Sequence, residues 1–304
     1  MRLTFSNPFE AEGRWYRGNL HAHTRNSDGQ MTPEELVELY RTVGYDFICF
    51  TDHGVLTETR GLSKPGFLVI PGEEVSVGIS ENGRFTHIIG VNLAETLSIK
   101  DFDRTVDPQE AIDTINRYGG FAVVAHPYWS DLILEDLREL QGHLGLEVYN
   151  ATCELTIGRG YSSVHWDGLL SRGIRLKGFA VDDTHGFQRP FLPLDLGRAW
   201  INVKAEKLTA ESVVEAIKKG LFYSSNGPVI RGVDLSGGEV WVSSSPAKSI
   251  AFIADMIHGV MNTVEEGTID EAYYTIKGEE NYVRIEVTDW EGRKAWSNPI
   301  YIER

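Results

Sequence analysis

Gly18-Asn19-Leu20-His21-Ala22-His23-Thr24-Arg25-Asn26-Ser27-Asp28-Gly29 is the stretch that decides how this chain is read. Side chains on an extended segment return to one face at every second residue, so His21 and His23 point the same way while Leu20 and Ala22 pack on the other face. Two imidazoles presented together at the end of a strand, followed in the loop by the carboxylate of Asp28, read as the first half of a metal site.

Working outward, the same pattern recurs. Trp15–Leu20 is the strand that delivers the motif. Thr32, Pro33 and Glu35 then spell an N-cap, a first-turn proline and a capping-box acid, and Leu36, Leu39, Tyr40 and Val43 form the apolar stripe of a helix stopped by Gly44. Phe47-Ile48-Cys49-Phe50 is a continuous apolar run, as in a strand covered on both faces, and it ends in Thr51-Asp52-His53. Phe67–Ile70 closes in Pro71-Gly72-Glu73-Glu74, and the following strand opens with His87, so a shared site needs these two strands antiparallel. A second capped helix starts at Asp107 and stops at Gly119-Gly120, after which Phe121–Ala125 runs into His126. Further on, Leu144–Asn150 is a strand, Ser163–Leu170 a helix, and Leu176–Val181 a strand ending in Asp182-Asp183-Thr184-His185.

Short strands alternating with capped helices predict an α/β barrel with about seven strands between Trp15 and Asp183, and in such folds functional groups collect at strand C-terminal ends. Gly197–Val203 reads as a further strand outside or closing the ring, and Thr209–Lys219 as a last helix. Beyond Asn226-Gly227-Pro228 the alternation has period two, clearest in Tyr282–Val287 with Val283, Ile285 and Val287 on one face. The expected division is a barrel over residues 1–227 and a small antiparallel β-sandwich over 228–304. Trp241, Trp290 and Trp296 are expected as core anchors of the sandwich rather than a binding platform.

Composition narrows the function. With 304 residues, 41% hydrophobic and 24% charged, the chain has the make-up of an ordinary globular protein. It contains no apolar run of the ~18 residues that a spanning helix needs and nothing resembling a secretion signal, so no membrane association and a cytoplasmic location are expected. Two cysteines, Cys49 and Cys153, suit a reducing compartment and exclude a disulfide framework. A formal net charge of −15 argues against holding long nucleic acid through the general surface, since that relies on clustered Lys and Arg. A small anion remains a suitable substrate if bound divalent metals make the site positive.

The strand ends together supply His21, His23, Asp28, His53, one of Glu73 and Glu74, His87, His126, Asp183 and His185. Six of the nine histidines stand beside strand ends in this group, whereas His143, His165 and His258 fall elsewhere. With these motifs in order (His-x-His with Ser-Asp-Gly, Thr-Asp-His, Gly-x-Glu, a strand-opening histidine, Ala-His-Pro and Asp-x-His) residues 15–227 resemble the polymerase and histidinol phosphatase (PHP) family of metal-dependent phosphoesterases. The resemblance implies a distorted seven-stranded barrel and chooses Glu74, two residues after Gly72, over Glu73. It further implies up to three ions: one on His21, His23, Glu74 and Asp183, a second sharing Glu74 with His87 and His126, a third on Asp28, His53 and His185. Glu74, Asp183 and His185 then count as catalytic through the ions they hold. The mixed imidazole and carboxylate set suits zinc, manganese or iron.

The implied chemistry is hydrolysis of a small phosphorylated molecule, a phosphomonoester or nucleotide, by water whose pKa the ions lower towards ~7. Two other readings stay open: a metallohydrolase for a carbamate or carboxyl ester, and a metal-loaded binding or accessory module. Arg25 and Asn150 are the candidates for substrate contact, against the plainer readings of a solvated arginine and a turn residue. Asp52 and Asp182 adjoin ligands and are candidates to orient imidazoles from behind, although as strand neighbours they should point away from the adjacent ligand.

Overall fold

Local grammar accounts for most of the elements of the α/β region. The computed structural model describes residues 2–187, 194–255 and 257–303. After a short β1 (Arg2–Thr4), the chain forms β2 (Arg14–Asn19), α1 (Pro33–Thr42), β3 (Phe47–Phe50), β4 (Leu68–Val77), β5 (Thr86–Val91), α2 (Pro108–Arg117), β6 (Phe121–Val124) and α3 (Leu134–Arg138). There follow β7 (Gly145–Asn150), α4 (Ala151–Ile157), α5 (Ser163–Leu170), β8 (Lys177–Val181), β9 (Trp200–Ala205), α6 (Ala210–Lys219) and β10 (Phe222–Ser225). Helix α1 begins with the expected capping box between Thr32 and Glu35, and Asp107 and Thr209 cap α2 and α6 through their side chains.

The region is mixed α/β. Strands β2, β3 and β4 run parallel, β4, β5 and β6 antiparallel to one another, and β6, β7 and β8 parallel again. Seven strands thus lie between Arg14 and Val181. The continuous apolar run of β3 has the cause inferred for it: Phe47 and Cys49 join a core cluster with Ile70, Ile89 and Phe179, while Ile48 and Phe50 pack with Leu36, Val37 and Tyr40 of α1. Between β2 and β8, the two ends of the run, the described residues form a single bridge, Ala22 with Thr184, in place of a ladder. The residues that extend past β2 and β8 at this bridge carry His21, His23, Asp183 and His185.

The C-terminal part contains β11 (Ile230–Ser236), β12 (Glu239–Ala247), β13 (Ser249–Ala254), β14 (Gly259–Thr263), β15 (Ile269–Thr275), β16 (Tyr282–Thr288), β17 (Lys294–Ser297) and β18 (Ile300–Glu303). Strands β11, β12 and β15 form a separate antiparallel sheet facing β13 and β16 across a core that includes Val240, Val242, Phe252, Val283 and Ile285. The second layer is not detached from the α/β region: β17 pairs with β10, so one sheet runs through both, and β1 pairs with β18 at its far edge.

One expectation fails here. Trp296 is buried, but Trp241 and Trp290 are exposed, Trp241 lying opposite Tyr273 on the outer face of β12. The other face of β16 is buried as well: Asp167 of α5 accepts from Tyr282 Oη and takes the Arg284 guanidinium through two 2.7 Å contacts, while Glu286 meets Arg284, Lys294 and Trp296. Among the described residues no helix is long and apolar enough to cross a membrane.

Candidate metal centre

Each motif is brought to the site by a specific backbone device. Past β2, the Asn19 side chain donates to the His21 carbonyl (2.7 Å) and accepts from the Asp182 backbone N–H (3.0 Å), tying the first histidine segment to the end of β8. Glu74 lies in mid-strand rather than at a strand end, because β4 continues through Pro71 to Val77. A Cβ at Gly72 would stand 2.6 Å from Cys49 Sγ and 2.7 Å from the Gly90 carbonyl oxygen, so only glycine lets β4 run this close to its neighbours. Antiparallel pairing sets Ser76 opposite His87, and Glu74, two residues earlier on the same face, meets the His87 ring diagonally.

The nine candidate ligands converge. His21 Nε2 lies 3.0 Å from His23 Nε2, 3.0 Å from Glu74 Oε2 and 3.1 Å from Asp183 Oδ1, and His23 Nε2 lies 3.2 Å from both carboxylate oxygens. His21, His23 and Asp183 form one group able to hold an ion, and His21 with Glu74 and His126, and His23 with His53 and Glu74, form two others that share its histidines. Glu74 turns its other oxygen to His87 Nδ1 at 2.8 Å and His126 Nε2 at 3.4 Å. Asp28 Oδ2 faces His185 Nε2 at 3.4 Å and His53 Nε2 at 4.0 Å, and His53 lies nearer Glu74 Oε2, at 3.5 Å.

Electrostatics mark the centre as a seat for positive charge. Burial opposes the charged form of His21, yet Asp183, Glu147 and Glu74 raise it well above the usual histidine value. His23, against the same burial, is pushed up to about 10 by Asp183 and Glu74. Burial would raise Asp183 and Glu74, but the surrounding histidines hold both well below the usual carboxylate range. Asp183 Oδ1 is buried without an aligned hydrogen-bond donor. The buried carboxylates thus favour positive charge where these donor atoms meet, and a divalent ion is one way to supply it.

The groups that aim the ligands are only partly those expected. Asp52 accepts from Thr24 N (2.7 Å), Thr24 Oγ1 (2.8 Å) and Ser27 Oγ (2.7 Å), and so holds the loop between His23 and Asp28 rather than a ring. Asp182 gathers the backbone N–H groups of Gly197, Arg198 and Ala199, each at 2.7 Å. As expected of strand neighbours, both carboxylates point away from the adjacent ligand. The orienting carboxylate is Glu147, whose Oε1 lies 2.7 Å from His21 Nδ1; Asp101 lies 3.3 Å from His53 Nδ1 without hydrogen-bond alignment. Ser130 Oγ meets His126 Nδ1 at 2.9 Å, and the Asp183 carbonyl meets His185 Nδ1 at 2.9 Å. Glu147 carried a signal, a lone acid inside an apolar strand; Asp101 sits in a loop with none.

Arg25 and Asn150 do not line the central cavity. Arg25 is exposed and donates to the Gln30 carbonyl, while buried Asn150 caps α4, a helix the sequence reading missed, and donates to Glu147 Oε2 (2.9 Å) and Asp183 Oδ2 (3.0 Å). The cavity over the ligands measures about 690 Å³, with Arg84 and Arg159 among its lining cations and Phe85, Phe102, Trp129 and Phe187 among its aromatics.

Residues 19–151 match the PHP domain model. An uncharacterized protein of Methanocaldococcus jannaschii is 29% identical over 153 residues, 44% of this chain and 82% of that protein. A phosphoribosyl 1,2-cyclic phosphate 1,2-diphosphodiesterase of Eggerthella lenta is 37% identical over 81 residues, 25% of this chain and only 31% of that enzyme. In overall fold the chain is similar to a two-domain protein of Bacteroides vulgatus containing a predicted PHP-like metal-dependent phosphoesterase, with a TM-score of 0.52, 18% identity and 91% of each chain covered. Residues 19–151 are thus similar to the PHP domain, and the chain continues beyond them into an antiparallel β region.

Proposed function

We propose that this protein is a metal-dependent hydrolase that cleaves a phosphate ester of a small molecule. The observation that carries the reading is the set of four buried donor atoms from His21, His23, Glu74 and Asp183, mutually 3.0–3.2 Å apart in the five measured pairs. Glu74 extends the set to His87 and His126, and Asp28, His53 and His185 complete it on the solvent side. Divalent ions held there would supply Lewis acidity towards a phosphoryl oxygen and activate water.

The chain's own residues do the rest. Glu147 and Ser130 hold the rings of His21 and His126 with one nitrogen turned inward, and Arg84 and Arg159 add positive charge beside the opening. A cavity of about 690 Å³ falls in the range of small-molecule sites, and the net charge of −15 supports a compact anion over a polynucleotide.

The test is metal analysis of the purified protein, followed by turnover of p-nitrophenyl phosphate with added manganese beside a carbamate and a carboxyl ester. Metal-dependent release from the phosphate ester alone is the expected result. Preference for either acyl substrate replaces the reading with the ester or carbamate hydrolase, and bound metal with no turnover of the three replaces it with a binding module.

A further inference from the structure

Five non-glycine residues among those described have positive φ, and four of them line the cavity: His126, Asp131, Asp183 and Phe102. His126 and Asp183 are candidate ligands, so strain there has a purpose in aiming donors. Phe102 has no donor to aim. At φ +55° its backbone pays the left-handed penalty, and its ring is nevertheless 55% exposed, so neither local geometry nor burial stabilises it in this place. The turn is held from the preceding residue, where Asp101 accepts the Ser76 N–H at 2.5 Å and faces His53.

The ring stands 5.5 Å from His53 and from Phe85, and 6.4 Å from His87 at 82°. Trp129 mirrors it on the His126 side: it is 40% exposed, 4.9 Å from His126 and 5.8 Å from His87 at 86°. Two exposed aromatic rings therefore stand nearly perpendicular to His87, each beside a different candidate ligand. Exposed rings beside a polar centre are the arrangement by which proteins take a flat π-system next to a charged group.

We propose that Phe102 and Trp129 form a subsite for a planar aromatic group in the organic part of the substrate, which makes the preferred substrate an aryl- or heteroaryl-bearing phosphate ester. The inference rests on the phosphoester reading for the reacting group, while the ring subsite itself is independent of turnover.

Binding and hydrolysis separate the two. Calorimetry on the manganese-loaded full chain would compare 2-phenylethylphosphonate, 2-cyclohexylethylphosphonate and ethylphosphonate. The phenyl compound should bind roughly tenfold or more tighter than ethyl, and tighter than cyclohexyl, by the scale of base-on-aromatic stacking. Phe102→Ala and Trp129→Ala should each shrink the phenyl-to-ethyl ratio severalfold, and Phe102→Tyr should restore it. A wild-type ratio near one, a cyclohexyl compound that binds as well as phenyl, or a ratio untouched by both alanine variants overturns the subsite. Turnover of 2-phenylethyl and ethyl phosphates, whose leaving alcohols have similar acidity, is the second arm. Hydrolysis of both without preference removes the subsite and leaves the phosphoester reading; ring-selective phosphonate binding with neither ester hydrolysed does the reverse.

Discussion

Replacing Glu147 by glutamine perturbs the metal centre without touching a ligand or changing side-chain volume. Glu147 is fully buried and accepts three contacts: His21 Nδ1 at 2.7 Å, the His126 backbone N–H at 2.8 Å and Asn150 Nδ2 at 2.9 Å. A glutamine has one acceptor oxygen. If that oxygen keeps His126 and Asn150, the amide NH2 faces His21 Nδ1, which must then give up its proton to accept. The proton moves to Nε2, pointing at Glu74 Oε2 and Asp183 Oδ1, 3.0 and 3.1 Å away, and blocks the lone pair that would bind metal. Loss of an outer carboxylate of this kind weakens metal affinity ~10- to 100-fold, about 1.4–2.8 kcal/mol. The assay is competition for manganese or zinc against a chromogenic chelator at fixed pH, with circular dichroism to show that the fold is retained. A dissociation constant within about twofold of wild type refutes the role given to Glu147.

Asp183→Asn should lose bound metal and phosphate-ester turnover together, since Asp183 Oδ1 belongs to the four-atom set; stoichiometric metal with normal turnover, read by elemental analysis and rate, counts against it. Gly72→Ala places a methyl 2.6 Å from Cys49 Sγ and 2.7 Å from the Gly90 oxygen and should destabilise the fold by ~1–3 kcal/mol in urea melts, with an unchanged midpoint contradicting the close packing of β4. His143 is buried and held at about 4 by desolvation, below the unfolded value of 6.5, so the unfolded chain takes the proton first. The stability it contributes is complete above pH 6.5 and is lost as pH falls through 4, by about 3 kcal/mol. His143→Leu should flatten that part of the stability profile relative to wild type, and parallel profiles would show that His143 does not titrate as its burial requires.

Much of the α/β region was legible because its causes are local. The capping box at Thr32, the aspartate cap of α2 and the apolar run of β3 depend on residues within a turn or a strand length of each other. Local rules also misled. Asn150 offered itself as a substrate contact because a polar residue after a strand is ambiguous, and only the packing of α4 and β8 shows that its hydrogen bonds are spent on Cys153, Glu147 and Asp183. Pro71 and Gly72 looked like the end of a strand, whereas β4 continues through them because Gly72 fits between Cys49 and Gly90. The buried second face of β16 was hidden for the same reason: period-two alternation records which face is apolar, and a salt-bridged Arg284 beneath α5 is buried without being apolar.

What the sequence by itself determined is the kit of donors and their order: His21 and His23 two apart, then Asp28, His53, Glu74, His87, His126, Asp183 and His185. Residue type and spacing suffice for that except at Glu74, which the resemblance to the PHP family chooses over Glu73, because imidazole and carboxylate are the groups that bind such metals and extended backbone repeats every second residue. Tertiary structure alone decided which oxygen of Glu74 faces which histidine, that Glu147 and Asp101 stand behind the rings, and that Phe102 and Trp129 flank the opening. Those relations join segments tens of residues apart, and their distances follow from how strands and loops pack, which no short-range pattern in the chain encodes.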